Sequence, residues 1–460
     1  MLKIGFAEGV ITPPGRVSLS GQYEIRVSEK PAEDILAVGM AVSTGRDNLF
    51  WAACDLCFIE EGLLDDVIAL LKDVLPVSRE NLILSATHIH TGPYLSDTVS
   101  GLNGNHMIPE DTTSADDCRR AVAEGIAHAL RNAYAGRRAC VVETAVARVR
   151  TGVSRRIHYT NEKTVMYGHV TRPDFVRSES RDGGPVELCY VRERDSGKLY
   201  GVIADVPCPA QVVENKYYIS PDYFGVVRRE VRAALGEDVK VLGLIGAAGD
   251  LSPHVLLGHY PGEPNDRDED GREALGKRVA KAIVEHAAHT LTRYDGEDYA
   301  QSFRRVRLPF WQSTKEDRDA AEAWLSELRA QYGEDLNYEK MVREGFRDTF
   351  RFSKALADVD RYRETQEYFD IEIFAVRIGK MAFITNPFEL YSEYADRIRA
   401  AMRGVQLFDV QLACGYPGYL ATVRGVRGEG YSATIFSGQT PPAGGEILVR
   451  ESIEMLRELF

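Results

Sequence analysis

Apolar residues along the chain fall into two textures: short unbroken runs, and longer stretches in which they recur at every third or fourth position. The first texture is that of strands covered on both faces; the second is that of helices with one buried stripe. Residues 48–58 read as such a strand, and EGLLDDVIALLKDVL after it as a helix. Residues 81–86 (NLILSA) give a second buried strand that stops at THIHTGP, and 115–134 read as a helix. Alternation about turn residues predicts two hairpins: VELCYVRERDSGKLYGVIADV turns at Asp195-Ser196-Gly197, and IEIFAVRIGKMAFIT turns near Gly379. The run VKVLGLIGAAGD at 239–250 is a further buried strand ending in glycines, and helices are expected at about 272–292, 391–402 and 446–458. Strand and helix signals alternate throughout, so the expected fold class is α/β: a mixed β-sheet core covered by helices.

One stretch differs. Residues 314–367 are rich in Glu, Asp, Arg and Ala with apolar residues at helical spacing, which predicts a hairpin of two amphipathic helices as an elaboration or an oligomer surface. No linker, repeat or low-complexity tract interrupts the pattern, so a single domain over 1–460 is expected.

Composition narrows the partners. With a net charge of −13 and no basic block, nucleic acid and a polybasic membrane anchor are excluded. No run approaches the roughly eighteen apolar residues of an integral membrane segment. The start MLKIGFAEGVITPPG reads as strand and turn, not as an export signal. Seven thinly spread cysteines fit reduced thiols, so a cytoplasmic location is expected. The pair Cys54 and Cys57 lies in an apolar run; on a strand the two would face opposite ways, which predicts two buried thiols.

Four places carry candidate chemistry. Thr87-His88-Ile89-His90-Thr91-Gly92-Pro93 follows a buried strand, where a rigid strand end fixes side chains and a loop leaves them accessible. In an extended segment His88 and His90 face one way and can address one centre, as metal ligand and as acid/base. Gly246-Ala247-Ala248-Gly249-Asp250-Leu251-Ser252-Pro253-His254 is a glycine turn whose free N–H groups suit an oxyanion. Its Ser252 is a candidate nucleophile or proton donor, without the G-x-S-x-G elbow. Asn386-Pro387-Phe388-Glu389 offers a carboxylate as ligand or as helix-start charge, and Tyr416-Pro417-Gly418-Tyr419 with Gly430-Tyr431 offers phenols.

In this order the motifs resemble the neutral/alkaline ceramidase family. Ile11-Thr12-Pro13-Pro14-Gly15 with Ser20-Gly21-Gln22-Tyr23 looks like its ITP…GY start, THIHTGP like T-H-T-H-x-G-P, GAAGDLSP like NxGDxSP, and YPGYLAT like Y-x-x-Y-x-x-T. The resemblance covers about residues 4–435 and has no counterpart of the family's C-terminal immunoglobulin-like domain. It implies a ceramidase catalytic-domain-like fold and a Zn2+ cofactor held by His88, Glu389 and Tyr419. The family's second zinc histidine, counted back twelve from Ser220 of Ile219-Ser220-Pro221-Asp222, falls on Cys208. Cys208 is then a thiolate ligand or an inert buried thiol, with Gln211 an alternative ligand or substrate contact. The resemblance also implies an active-site role for His90, a substrate contact for Arg155 (or its neighbour Arg156), the once-proposed nucleophile for Ser252, and an active-site tyrosine at Tyr431.

The expected activity is zinc-dependent hydrolysis of an amide-type bond, in ceramide or in a smaller amide, lactam or ester. His90 and Tyr431 would stabilise the oxyanion or protonate the leaving amine. Ser252 and the backbone around Gly249 and Asp250 would position a small-molecule or lipid-like substrate. Two other readings stay open: a metal-independent serine hydrolase using Ser252, and a non-catalytic binding protein that has lost the second histidine.

Overall fold

The structure, a computed structural model, describes every residue except 23, 25, 97, 100–105, 108, 258–265, 291, 295–297, 338, 339 and 342–348. Tyr23 of the opening motif and part of the expected helical hairpin therefore lie outside the described residues.

The larger sheet is built from β1 (Lys3–Val10), β2 (Leu36–Ser43), β3 (Asn48–Cys54), β4 (Leu82–Ala86), β5 (Arg138–Ala147), β6 (Val186–Glu193), β7 (Leu199–Val206), β8 (Lys240–Ile245) and β9 (Thr292–Tyr294). Its order is β8-β7-β6-β5-β1-β2-β3-β4, with β9 paired to β5. Only β3–β4 and β7–β8 are parallel. Parallel neighbours need a crossover, and each pair has a helix between its strands: α1 (Leu63–Leu71) and, after α2 (Ala115–Ala135) further along the chain, α3 (Asp222–Leu235).

A smaller sheet runs β10 (Tyr299–Pro309), β11 (Tyr368–Ile378), β12 (Met381–Thr385) and β13 (Gln406–Val410), in that order. The two sheets and their helices stack in four layers. Along β3, Phe50, Ala52 and Cys54 enter a core shared with α1, α2, α3 and α4 (Asp268–His286), while Leu49, Trp51 and Ala53 enter a second core against Phe374, Phe383 and Phe408. The far face of the smaller sheet, with Ile371, Ile373 and Ala375, packs on Tyr394, Ala395, Leu448 and Met455. This is why the strands read as unbroken apolar runs: both faces are covered.

Among the described residues of 314–367 are α5 (Lys315–Tyr332) and α6 (Thr349–Arg363), the first opened by a Thr314–Asp317 capping box. They carry a small core of their own around Leu325, Leu328, Phe352 and Val359. The last layer is completed by α7 (Ser392–Ala401) and α8 (Pro442–Leu459). Among the described residues no helix is long and apolar enough to cross a membrane.

Strand ends from both sheets are stitched together. Just past β13, the N–H of Gln411 donates to Ile245 at the end of β8 (3.0 Å), and the carbonyl of Leu412 accepts from Ala86 at the end of β4 (3.1 Å). Asn386 after β12 donates to Val410 (2.9 Å). Loops that lie far apart in sequence thereby leave from one place.

Candidate active site

The segment after β4 is fixed from behind. Buried Asp55 accepts from the Thr87 hydroxyl (3.1 Å) and from Arg228 of α3 (2.6 Å), and the N–H of Ile89 donates to Leu56 (3.2 Å). The segment is not extended: His88 has φ +63°, in the left-handed region that a side-chain-bearing residue adopts at a cost of about 1–3 kcal/mol. The reason given above for His88 and His90 facing one way is therefore corrected. They meet because the chain bends at His88, which brings their rings edge to face at 4.8 Å and their Nε2 atoms to 3.3 Å. His88 Nδ1 faces the Cys57 carbonyl at 2.6 Å, so a proton there donates to it and Nε2 is left facing inward.

Glu389 and Tyr419 come to the same point through a two-residue parallel pairing, Glu389–Leu390 against Tyr419–Leu420, which sets Glu389 opposite Tyr419. Glu389 Oε2 lies 3.3 Å from His88 Nε2, and Oε1 accepts from Tyr416 (2.8 Å). The Tyr419 hydroxyl accepts from Arg155 (3.1 Å) and from Tyr431 (3.4 Å), which leaves its own proton for Glu389. Arg155 also donates to the Gly249 carbonyl (2.9 Å). A Cβ at Gly249 would stand 2.4 Å from the Glu389 carbonyl oxygen, so only glycine lets the 246–252 turn lie against this pairing.

The electrostatics follow from burial and partners. Burial opposes the charged form of Glu389, but His88, Arg155 and Tyr419 outweigh it and hold the carboxyl below its usual range. Burial likewise opposes an imidazolium at His88, yet Glu389 and Cys57 raise its pKa well above the ordinary value. At His90 burial and the neighbouring His88, Arg26, Arg155 and His254 all act in one direction, so its pKa is well below the usual imidazole value and the ring is neutral.

Zinc takes imidazole, carboxylate and thiolate or phenol donors, and the structure converges the first two with a phenol on buried His88, Glu389 and Tyr419. These three fit the ion. Cys57, His88 and His90 also form a group whose possible ligand atoms lie within 4.8 Å of one another. The Cys57 sulfur, however, is 3.9 Å from Nδ1 of His88, the nitrogen turned to the Cys57 carbonyl and away from Glu389. The expectation of two plain buried thiols is thus half the picture: Cys54 and Cys57 are both buried and free, but Cys57 lies beyond β3 and backs a site histidine.

Cys208 does not join this convergence. Its thiol is fully buried, donates to the Pro209 carbonyl within its own turn (3.7 Å), and is held protonated by burial and by Asp222. Gln211 donates its amide to Tyr167 (3.1 Å) and keeps a buried carbonyl oxygen without a hydrogen-bond partner among the described residues. The 246–252 turn is not an oxyanion hole: the N–H groups of Gly246, Ala247, Ala248 and Gly249 are all spent on Val206, Asp409, Gln411 and Leu390. Asp250 is spent too, both its oxygens accepting from Ser392 at the start of α7. Ser252 Oγ accepts from Tyr167 (3.1 Å) and from the His254 backbone (3.1 Å); among the described residues no imidazole or carboxylate is hydrogen-bonded to it. Of the two adjacent arginines, Arg155 reaches the site while Arg156 turns the other way onto Glu179 and three backbone carbonyls.

Sequence reasoning assigned no role to Tyr416, Tyr167, Glu214, His254 or Arg26. Tyr416 and His254 lay within stretches already singled out; Tyr167, Glu214 and Arg26 sit in segments without a motif. Arg26, fully buried, ties the carbonyls of Ser20, His90, Glu214 and Lys216 together and closes the back of the site.

The four layers and the buried imidazole–carboxylate–phenol group at stitched strand ends define a mixed α/β protein with a candidate metal centre. In overall architecture the fold is that of the neutral ceramidases. The chain is similar to the crystal structure of neutral ceramidase from Pseudomonas aeruginosa, with TM-score 0.70 and 18% identity over 100% of this chain and 74% of that one. It is similar to a ceramidase complexed with C2 at TM-score 0.70 and 17% identity, over 99% of this chain and 75% of that one. No model of a known protein family matches the chain, and no curated protein sequence does.

Proposed function

We propose that the chain is a zinc-dependent hydrolase of an amide-type bond, with His88, Glu389 and Tyr419 holding the ion. The observation that carries this reading is the meeting of those three donors from three distant loops, inside a fold shared with ceramidases. Zinc bound there would polarise a carbonyl and bring the pKa of water from 15.7 toward about 7.

The chain's own residues account for the rest. Arg155, pinned between the Gly249 carbonyl and the Tyr419 hydroxyl, places a fixed positive charge where a carbonyl oxygen becomes negative. Tyr431 presents a phenolic proton beside it for the leaving amine. Ser252, Tyr167 and Gln211 form a hydrogen-bonded string suited to orienting the substrate.

Tyr431 also lines a cavity of about 440 Å³ that opens against α5 and α6, with Trp324 and Phe436 among Asp317, Arg351, Lys354, Asp358 and Glu429. A lining that mixes aromatic rings with charged groups suits a compact N-acyl amide with polar groups better than a lipid with two long hydrocarbon chains.

A chelator assay on a panel of N-acyl amides tests the reading. Activity is expected to vanish on chelation and return with Zn2+, while Ser252→Ala retains at least about a tenth of it, a loss typical of one orienting hydrogen bond. Activity indifferent to chelation but abolished in Ser252→Ala would replace this reading with the serine hydrolase. No metal and no turnover would leave a binding protein.

A further inference from the structure

Resting on the metal reading above, we propose that His90 supplies the donor that position 208 no longer provides, and that Glu214 orients it. The centre would then be held by His88, His90, Glu389 and Tyr419, a ligand set that differs from the one the resemblance implies.

Three observations point there. First, the separations suit it. A tetrahedral zinc with bonds near 2.0–2.1 Å puts neighbouring donors about 3.3–3.4 Å apart. His88 Nε2 is 3.3 Å from Glu389 Oε2 and 3.3 Å from His90 Nε2.

Second, both imidazoles are turned the same way about. His88 directs Nδ1 to the Cys57 carbonyl, and His90 directs Nδ1 to Glu214, 3.5 Å away, with no hydrogen-bond partner for that buried nitrogen. With each Nδ1 turned outward, both Nε2 atoms face each other at 3.3 Å, where a shared cation can sit between them. A carboxylate behind a ligating histidine is the usual way its tautomer and ring are fixed.

Third, the support is built in. Glu214 accepts from Gln22 (3.1 Å), its backbone carbonyl accepts from Arg26 (2.5 Å), and its other carboxylate oxygen faces the buried His254 Nε2 at 3.6 Å. Gly21, at φ +96°, lies so close to the His90 ring that any Cβ there would come within 2.6 Å of it. Both Gln22 and Gly21 belong to the opening motif, which thereby has a role in placing His90. Cys208, in contrast, keeps its thiol on Pro209.

The test uses the full chain, stripped of metal, with Zn2+ affinity read by competition with a chromophoric chelator and ligand type read from the Co2+ spectrum. Wild type is expected to take up one ion. His90→Ala should bind at least about 100-fold more weakly, Glu214→Gln about 10- to 100-fold more weakly, and Cys208→Ser within about 3-fold of wild type. The Co2+ form should lack an intense thiolate charge-transfer band. If His90→Ala does not fold, His90→Asn and Glu214→Gln decide the matter by the same affinities. Wild-type affinity in the position-90 and position-214 variants, or a thiolate band lost in Cys208→Ser, overturns the inference and leaves the metal reading standing. A wild-type chain that takes up no ion overturns both.

Discussion

His88 shows how a residue can be nominated from sequence while its conformation cannot. A histidine after a buried strand was enough to nominate it; its positive φ depends on contacts from Leu56, Cys57 and Asp55, which no local pattern records. The neighbours Arg155 and Arg156 make the same point. They were indistinguishable in sequence, and the structure separates them by the alternation of an extended segment. Arg156, with Glu179, forms a fully buried pair, so Arg156→Ala is expected to cost about 3–5 kcal/mol in chemical denaturation by stranding the carboxylate. Arg155→Ala should instead lower kcat/KM by about 100-fold or more, the usual cost of removing a group aimed at developing charge. Equal losses of stability in the two variants, with activity intact in Arg155→Ala, would reverse that assignment.

Elements were legible where periodicity had room to show. β3, β4, β8 and the first long hairpin fall within the expected stretches, because strands covered on both faces leave unbroken apolar runs, and the second hairpin starts earlier than expected, at Tyr368. The pairing that carries Glu389 and Tyr419 was not legible, since two residues are too few for any period. It rests on Gly249: Gly249→Ala should push the pairing apart and weaken Zn2+ binding, whereas unchanged affinity would show the contact to be dispensable.

A second strand-level feature titrates. On β6 and β7, Glu187 lies directly opposite Asp205, with Asp409 nearby, and burial, relieved only in part by Arg399, pushes the Glu187 pKa from 4.5 to about 7. An acid that keeps its proton longer when folded loses stability as pH rises through that window, here by up to roughly 3 kcal/mol. Urea midpoints should therefore fall between about pH 5 and pH 8 in wild type and fall much less in Glu187→Gln. Parallel curves for the two proteins would contradict this.

At the scale of the molecule, the α/β class was readable from pattern alone, and the ordered motifs pointed to the ceramidase fold. What could not be read was which side chains close the centre. Counting positions led to Cys208, because spacing along a chain carries no information about side-chain reach; the folded molecule leaves that thiol in the core. The turn at 246–252 misled for a related reason: glycines signal close approach, and here the approaching group is the chain's own Glu389–Leu390 backbone, not a substrate.

The claim on which the account turns is that one cation sits where His88, Glu389 and Tyr419 meet. Anomalous diffraction at the zinc edge from crystals of the zinc-loaded chain addresses it directly. A single strong peak is expected in contact with His88 Nε2, a Glu389 oxygen and the Tyr419 hydroxyl. A zinc-loaded crystal with no peak there, or with the ion held elsewhere by other side chains, would contradict it.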